Sequence, residues 1–325
     1  MLQRYILVRL LQIVPVLLAI VTINFFIIHL VPGDPAIAIA GPAASQAYID
    51  SVRRQFGFDK PIFEQYFIYI YNLLLGNLGI SVAARRPVLD IVLERVPATL
   101  LLMMTAWFAS LGLGIFLGTK AGMRRGSRFD RAVSLSALTL YSIPVFWLAL
   151  GFVSVFALRL RIFPISGMMD TVHPAQGIAL ALDIGAHMVL PIVSMIAFYM
   201  PQFYQLTRTS VAETLQEDFV KTLRAAGLQR TSTFSRYILK NSSLPTITLA
   251  GLWLGYSLTG AVLIEVIFAW PGLGRLLFDS TLTRDYPVLL GVFLVASVMV
   301  VVVALATDLL YVFLDPRMRY GSEPS

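Results

Sequence analysis

The chain has 325 residues, of which 58% are hydrophobic and only 13% charged, against about 25% charged in an ordinary soluble domain. So few charges cannot cover the apolar surface of a chain this long, which excludes a typical soluble protein. A net charge of +7 would fit a nucleic-acid-binding protein, but in a membrane protein it is explained by basic residues that hold loops in the cytoplasm. We therefore expect no nucleic-acid partner, and the absence of cysteine excludes disulfides and thiolate metal sites.

The N-terminal segment is basic and then apolar, as in a secretory signal peptide. Its apolar run, from about Leu10 to Val31, is too long for the hydrophobic region of a signal peptide. No small-x-small cleavage site precedes Pro32-Gly33-Asp34-Pro35, where the run ends. We therefore predict a retained transmembrane helix over residues 1–31.

Six stretches have the roughly 20 mostly apolar residues that a membrane-crossing helix needs. They are Arg9–Val31, Pro97–Gly122, Ala132–Leu158, His187–Leu206, Ile247–Phe268 and Val288–Leu314. Because a helix satisfies its own backbone polar groups inside the bilayer, the pattern predicts an all-α integral membrane protein with six transmembrane helices.

The distribution of lysine and arginine predicts the orientation. Fifteen lie in the N-terminal segment, the second and fourth connections and the tail at 315–325, which six spans place on one side of the membrane. The short loops of the opposite side carry four, Arg159, Arg161, Arg275 and Arg284. Since basic residues favour the cytoplasmic side, both termini are predicted to be cytoplasmic.

The first connection, residues 32–94, is too long for a simple loop and is predicted to be extracytoplasmic. Helical spacing of apolar residues within it predicts an amphipathic helix. Its apolar residues are Ile62, Phe63, Tyr66, Phe67, Ile70, Leu73 and Leu74. This stripe either lies on the outer membrane surface or packs against the bundle, and a Gly-Asn-Leu-Gly run at Gly76–Gly79 then turns the chain.

The connection at 208–245 has a mixed apolar and charged pattern that predicts a helix, a glycine break and a second helix. The first helix carries Ala212, Leu215, Phe219, Leu223 and Ala226 on one face. Glu217 and Lys221 are spaced for an i,i+4 ion pair. Gly227 is expected to end this helix, because glycine tolerates positive φ, and Pro245 marks the start of the fifth span.

Two interpretations of this bent segment remain open from its pattern. Phe219 and Leu223, flanked by charges, are typical of an exposed apolar knob that docks on a partner. Alternatively, both side chains rest on the helix ends of their own bundle.

The bent segment resembles the EAA loop of ATP-binding cassette (ABC) importer permeases, and the chain as a whole resembles the dipeptide/oligopeptide/nickel branch of that family. The segment runs Asp218-Phe-Val-Lys-Thr-Leu-Arg-Ala-Ala-Gly227, followed by Arg236-Tyr-Ile-Leu-Lys-Asn-Ser-Ser-Leu-Pro245. Further matching motifs are Pro32-Gly33-Asp34-Pro35, typical of the B-type subunit, Gly57-Phe58-Asp59-Lys60-Pro61, Arg95-Val-Pro97-Ala-Thr99, Ser142-Ile-Pro144-Val-Phe-Trp147, His187-Met-Val-Leu-Pro191 and Glu265-Val-Ile-Phe-Ala-Trp-Pro-Gly-Leu-Gly274. The ordered set covers nearly the whole chain.

The resemblance implies a type I importer permease in a bacterial or archaeal plasma membrane. It implies a permease core at 95–314 that forms half of a pathway for peptides or a related small solute. The implied partners are a homologous permease subunit, two ATP-binding subunits, an extracytoplasmic solute-binding protein and the lipid bilayer. The residues implied to couple to the ATPase are Phe219, Leu223, Arg224, Ala225, Ala226 and Gly227.

The sequence departs from the EAA motif at all three of its positions. Lys221 stands where the motif has its glutamate, and Thr222 and Leu223 stand where it has its alanines. The peptide-type branch often lacks that glutamate, so the resemblance still implies coupling.

Glu265, at the outer end of the fifth span, is a candidate pathway or gate residue, because carboxylates within membranes are usually functional. The alternative is a hydrated surface residue, or one capped by Arg275. Gly112, Gly114 and Gly118 in the second span predict close helix packing.

No motif for catalysis by this chain is recognisable. The sequence has three histidines without a His-Glu-x-x-His pair, no Gly-x-Ser-x-Gly elbow and no acidic metal-binding cluster, so we predict no enzyme activity, metal or cofactor. A secondary transporter driven by an ion gradient is the alternative function. It would require paired acidic residues at mid-membrane depth or an inverted repeat, and neither is visible.

Overall fold

The computed structural model describes residues 2–30, 34–41, 44–228 and 232–314. These residues are mostly helical and contain no strand; an isolated bridge pairs Ile80 with Pro87. The helices are α1 (Leu2–Leu30), α2 (Pro35–Ala40), α3 (Gln46–Phe56), α4 (Ile62–Leu74), α5 (Val88–Gly122), α6 (Arg128–Ser142), α7 (Val145–Phe152, continued by a π-helix over Val153–Arg159), α8 (Ile178–Thr214), α9 (Asp218–Ala225), α10 (Ser232–Ser242), α11 (Leu244–Ile267), α12 (Leu273–Thr283) and α13 (Tyr286–Leu314). The predicted tail at 315–325 lies outside the described residues.

Three helical segments within the described chain are long and apolar enough to cross a membrane. They are Val88–Gly122, Ile178–Thr214 and Tyr286–Thr307, and a bent pair of helices makes a fourth. The first two start nine residues earlier than the sequence predicted, because the helices extend beyond their apolar parts. A shorter apolar segment, Leu11–Ile27, lies within α1.

The predicted third span, Ala132–Leu158, is not one continuous helix. It is divided into α6 and the α7 segment, whose axes differ by 100°. Ile143 between them is extended, with φ −93° and ψ 128°. Pro144 explains the break, since proline disfavours helical backbone in the preceding residue and has no N–H to continue the hydrogen-bond ladder.

The chain divides into two compact units, and the first contains residues 1–100 and 271–305. In this unit α4 packs on α1: His29 Nε2 lies 2.8 Å from Gln65 Oε1, and Thr22 Oγ1 lies 2.7 Å from Tyr66 OH. The opposite face of α4 is apolar and exposed, with Phe63 80% accessible. The segment with helical spacing is thus a helix, with one face packed on α1 and an apolar face left uncovered.

The Pro-Gly-Asp-Pro motif has a structural role at its aspartate. Asp34 Oδ1 accepts a hydrogen bond of 2.8 Å from the Ala36 N–H and so caps α2, in which Pro35 occupies the first turn. Its other oxygen pairs with Arg53 of α3 at 2.5 Å. Although burial raises the pKa of Asp34, the hydrogen bonds from Arg53 and Ala36 and the Arg53 charge leave that pKa below its usual value.

The second unit contains residues 101–270 and 306–325 and is organised around α8, which contacts α6, α7, α10 and α11. The glycines of α5 pack against it. A Cβ added at Gly114 would lie 2.5 Å from Phe203 Cβ, and one added at Gly118 would lie 2.7 Å from Thr207 Cβ. Gly122 makes the same kind of approach, whereas Gly112 has no neighbour within 4 Å. The prediction of close packing was therefore right for Gly114 and Gly118 and wrong for Gly112.

Candidate functional site: an elbow and a membrane cavity

The connection between α8 and α11 contains two helices, α9 and α10, and we call its described residues, 215–228 and 232–242, the elbow. The predicted single helix over 212–226 is wrong, because α8 ends at Thr214 and α9 begins at Asp218. Glu217 between them is extended, with φ −64° and ψ 149°. Acidic residues at positions 217 and 218 favour a helix start, where they interact with the positive end of the helix dipole.

One face of α9 holds the elbow against its own unit. Val220 is completely buried and packs with Val211 of α8 and Ile238 of α10. Leu223 lies half-buried against this cluster, in line with the second of the two interpretations that its pattern left open. Val220 was missed by the sequence analysis, because a face counted continuously from Ala212 loses its register at the break before α9.

The other face of α9 is accessible. Phe219 is 37% exposed, and Arg224, Ala225 and Ala226 are also exposed. Lys221 Nζ lies 2.6 Å from Asp218 Oδ1, so the ion pair forms at i,i+3 rather than with Glu217. The helix ends as predicted, with Gly227 at φ +77°. The exposed face therefore combines one aromatic ring, a cation and small side chains beside a fixed turn.

A buried ion pair anchors α8 just before the elbow. Arg208 donates to Asp130, near the start of α6, through Nε at 2.5 Å and Nη2 at 2.9 Å. The Gly126 N–H also donates to Asp130, whose side chain is 2% exposed. In the sequence Asp130 is one charge among many in an arginine-rich turn, and nothing there distinguished it.

A cavity of about 810 Å³ lies between α6, α8 and α11. Its lining residues are Ser134, Ala137, Leu138, Tyr141, Pro201, Gln202, Gln205, Leu206, Arg208, Thr209 and Leu249. Most of this lining falls within the predicted third and fourth spans. The sequence analysis did not predict the cavity, although two glutamines three residues apart in an apolar helix were a visible signal.

Glu265 lies in the last turn of α11 and is completely buried, so its interpretation as a hydrated surface residue is wrong. The backbone carbonyl oxygen of Glu265 accepts a hydrogen bond of 2.8 Å from the Trp270 N–H. Glu265 is not among the residues that line the cavity. Within the described part of the chain, the predicted gate residue therefore lies apart from the lining of the cavity.

The arrangement of long apolar helices with an elbow between α8 and α11 agrees with a known family. Residues 110–320 match the family described as "Binding-protein-dependent transport system inner membrane component", and residues 1–103 match "Binding-prot-dependent transport system membrane comp, N-term". The chain belongs to this family of ABC importer permeases. The resemblance found from the sequence motifs is thus confirmed.

Curated relatives that resemble the chain over almost their full lengths support this membership. The dipeptide transport system permease protein DppB of Escherichia coli strain K12 is 36% identical, over 98% of this chain and 99% of that protein. The glutathione transport system permease protein GsiC of the same strain is 34% identical, over 97% and 99%. The permease is therefore similar from end to end to subunits of the dipeptide and oligopeptide branch.

Proposed function

We propose that this permease forms one half of the membrane pathway of an ABC importer for peptides or a related small solute. We further propose that the elbow transmits the movement of a separate ATPase subunit. The observation that carries the proposal is the two-sided elbow: Val220 fixes one face of α9 to the permease, while Phe219 and Gly227 lie on its accessible side. A bent element pinned in this way moves as a rigid lever, so displacement of its tip is passed to α8.

The proposed contact with the ATPase consists of Phe219, Leu223, Arg224, Ala225, Ala226 and Gly227. Within this set Phe219 is the apolar anchor, and Leu223 ties α9 to the buried cluster that contains Val220. Two ATP-binding subunits would hydrolyse ATP, a homologous permease subunit would complete the pathway, and a solute-binding protein would deliver the solute. The dipeptide and glutathione permeases among its relatives support a peptide-type solute. We keep Glu265 as a proposed gate residue, because carboxylates within membrane helices are rare and are usually functional.

The proposed topology has six spans, with both termini in the cytoplasm of a bacterial cell. α1, α5, the bent α6–α7 pair, α8, α11 and α13 would be the spans, with residues 32–94 outside and the elbow inside. The excess of basic residues in the segments assigned to the cytoplasm supports this orientation. The permease core would then be 95–314, with 1–31 as an added N-terminal helix.

The cysteine-free chain allows a direct test of topology. Val172, 78% exposed between α7 and α8, and Arg125, exposed between α5 and α6, fall on opposite sides in the proposal. In intact cells a membrane-impermeant maleimide should label a Val172→Cys variant at once. An Arg125→Cys variant should be labelled only after permeabilisation, and the reverse pattern would invert the topology.

Truncation of the exposed aromatic ring tests the elbow. Phe219→Ala should weaken association of the permease with its ATPase subunits by about tenfold or more, since exposed aromatic anchors dominate interface energies. The measurement is a titration of purified ATPase onto the permease in nanodiscs. Phe108→Ala is the matched control, because Phe108 is 63% exposed on α5, far along the chain from the elbow. Equal affinities for the two variants would contradict the proposed contact.

A further inference from the structure

The face of α8 that lines the 810 Å³ cavity is polar, although it lies in a membrane-spanning helix. Gln202, Gln205 and Thr209 follow one another at helical spacing on this face. The opposite face, which includes Phe203 and Thr207, packs against the glycines of α5. The polar face is therefore not the face that holds the two helices together.

Several of these polar groups have no partner among the described residues. Gln205, Tyr141 and Thr209 are exposed, and their side chains make no hydrogen bond to the described part of the chain. Gln202 uses one amide hydrogen, donated to the Phe198 carbonyl oxygen at 3.3 Å, which leaves its side-chain oxygen available. Hydrocarbon cannot satisfy such groups, so this face requires water, a solute or another protein against it.

The cavity is also electrically neutral. Among the described residues that line it, Arg208 is the one that carries a charge, and both carboxylate oxygens of Asp130 accept hydrogen bonds from its guanidinium. The other polar groups of the lining are amides and hydroxyls that both donate and accept hydrogen bonds, set among apolar side chains such as Leu138, Leu206 and Leu249. This is the chemistry that matches the alternating N–H and C=O groups of a peptide backbone. The volume of the cavity lies within the range of about 300–1,000 Å³ that small-molecule sites occupy.

We propose that Gln202, Gln205 and Tyr141 form a solute-contacting site that recognises the amide backbone of a peptide and is indifferent to the charge of its side chains. The proposal rests on the proposed function, since it assumes that the solute passes through this half of the importer. It assigns to the permease a neutral site that accepts acidic, neutral and basic peptides alike.

The test uses the complete importer, with its ATPase and binding-protein partners, reconstituted in proteoliposomes. Uptake of alanyl-alanine, alanyl-glutamate and alanyl-lysine is compared between each variant and the wild type with the same binding protein, so that the preferences of the binding protein cancel. Gln205→Glu should favour alanyl-lysine over alanyl-glutamate by about tenfold relative to the wild type, because it places a negative charge beside the bound solute. The double variant Q202L/Q205L should lower uptake of all three dipeptides by similar factors of about tenfold.

Gln176→Leu is the matched control, because Gln176 is exposed in the connection before α8 and does not line the cavity. It should transport all three dipeptides as the wild type does. An unchanged charge preference in Gln205→Glu, with full uptake in Q202L/Q205L, would overturn the site while leaving the proposed function intact. Loss of assembly with the second permease subunit in Q202L/Q205L, together with an unchanged preference in Gln205→Glu, would identify the cavity as a subunit contact and overturn it too. If the wild-type complex took up none of the three dipeptides, the peptide assignment would fail with the site.

Discussion

Replacing Gly227 with valine is expected to lower solute uptake by about tenfold while the ATPase subunits continue to hydrolyse ATP. Gly227 has φ +77°, a region in which a β-branched residue is a true outlier. A Cβ there would meet no atom within 4 Å, so the substitution acts through the backbone and not through a clash. Left-handed backbone costs an L-residue about 1–2 kcal/mol, which shifts the elbow by about tenfold towards other turns.

A graded series separates this effect from general damage. Gly227→Asn should retain most of the uptake, because asparagine tolerates the left-handed region, and Gly227→Ala should be intermediate. Gly177→Val is the control, because Gly177 also has positive φ and open space around it but lies in the connection before α8. Uptake and ATP hydrolysis are measured together in the reconstituted complex. Wild-type uptake by Gly227→Val would contradict the role of the elbow as a lever.

The second large effect is expected at the contact between α5 and α8. In Gly118→Ala the new Cβ would lie 2.7 Å from both Thr207 Cβ and the Tyr204 carbonyl oxygen. Backbone atoms of a packed helix cannot yield as a flexible side chain does, so the helices must separate. Overpacking of this kind costs about 1–3 kcal/mol, which corresponds to a fall in Tm of roughly 2–10 °C.

The same helix supplies the control. Gly112→Ala adds the same methyl group six residues earlier, where it meets nothing within 4 Å. Because alanine is a better helix former than glycine by about 1 kcal/mol, this variant should be as stable as the wild type or slightly more so. Thermal unfolding of the two purified variants in one detergent makes the comparison. Equal Tm values would mean that α5 and α8 do not pack through Gly118.

The break between α6 and α7 illustrates a local signal that the sequence analysis underused. Hydropathy alone joined Ala132–Leu158 into one span, because apolar residues continue through Pro144. The geometry of proline was available from the sequence and would have placed a break at Ile143. The 100° angle between the two helices could not be predicted from the sequence, since it depends on what each half packs against.

In the elbow, too, some features follow from the local sequence and others depend on residues that are distant in the chain. The end of α9 at Gly227 was predictable, because a glycine after a helical pattern relieves the strain of positive φ. Which side chains face inwards was not predictable, because Val220 is buried by Val211 and Ile238, which lie on two other helices. The same packing holds Leu223 half-buried, which the pattern of α9 by itself left open.

The amino-acid sequence by itself determined the membrane class, the positions of most long helices and the family, because hydropathy, glycine and proline geometry and short motifs act within a few residues of the chain. The tertiary structure alone decided which glycines of α5 touch α8, that Asp130 pairs with Arg208, and that Gln202 and Gln205 line a cavity. Each of these depends on residues that are distant in the chain and are brought together only by packing, which no periodicity within one helix specifies.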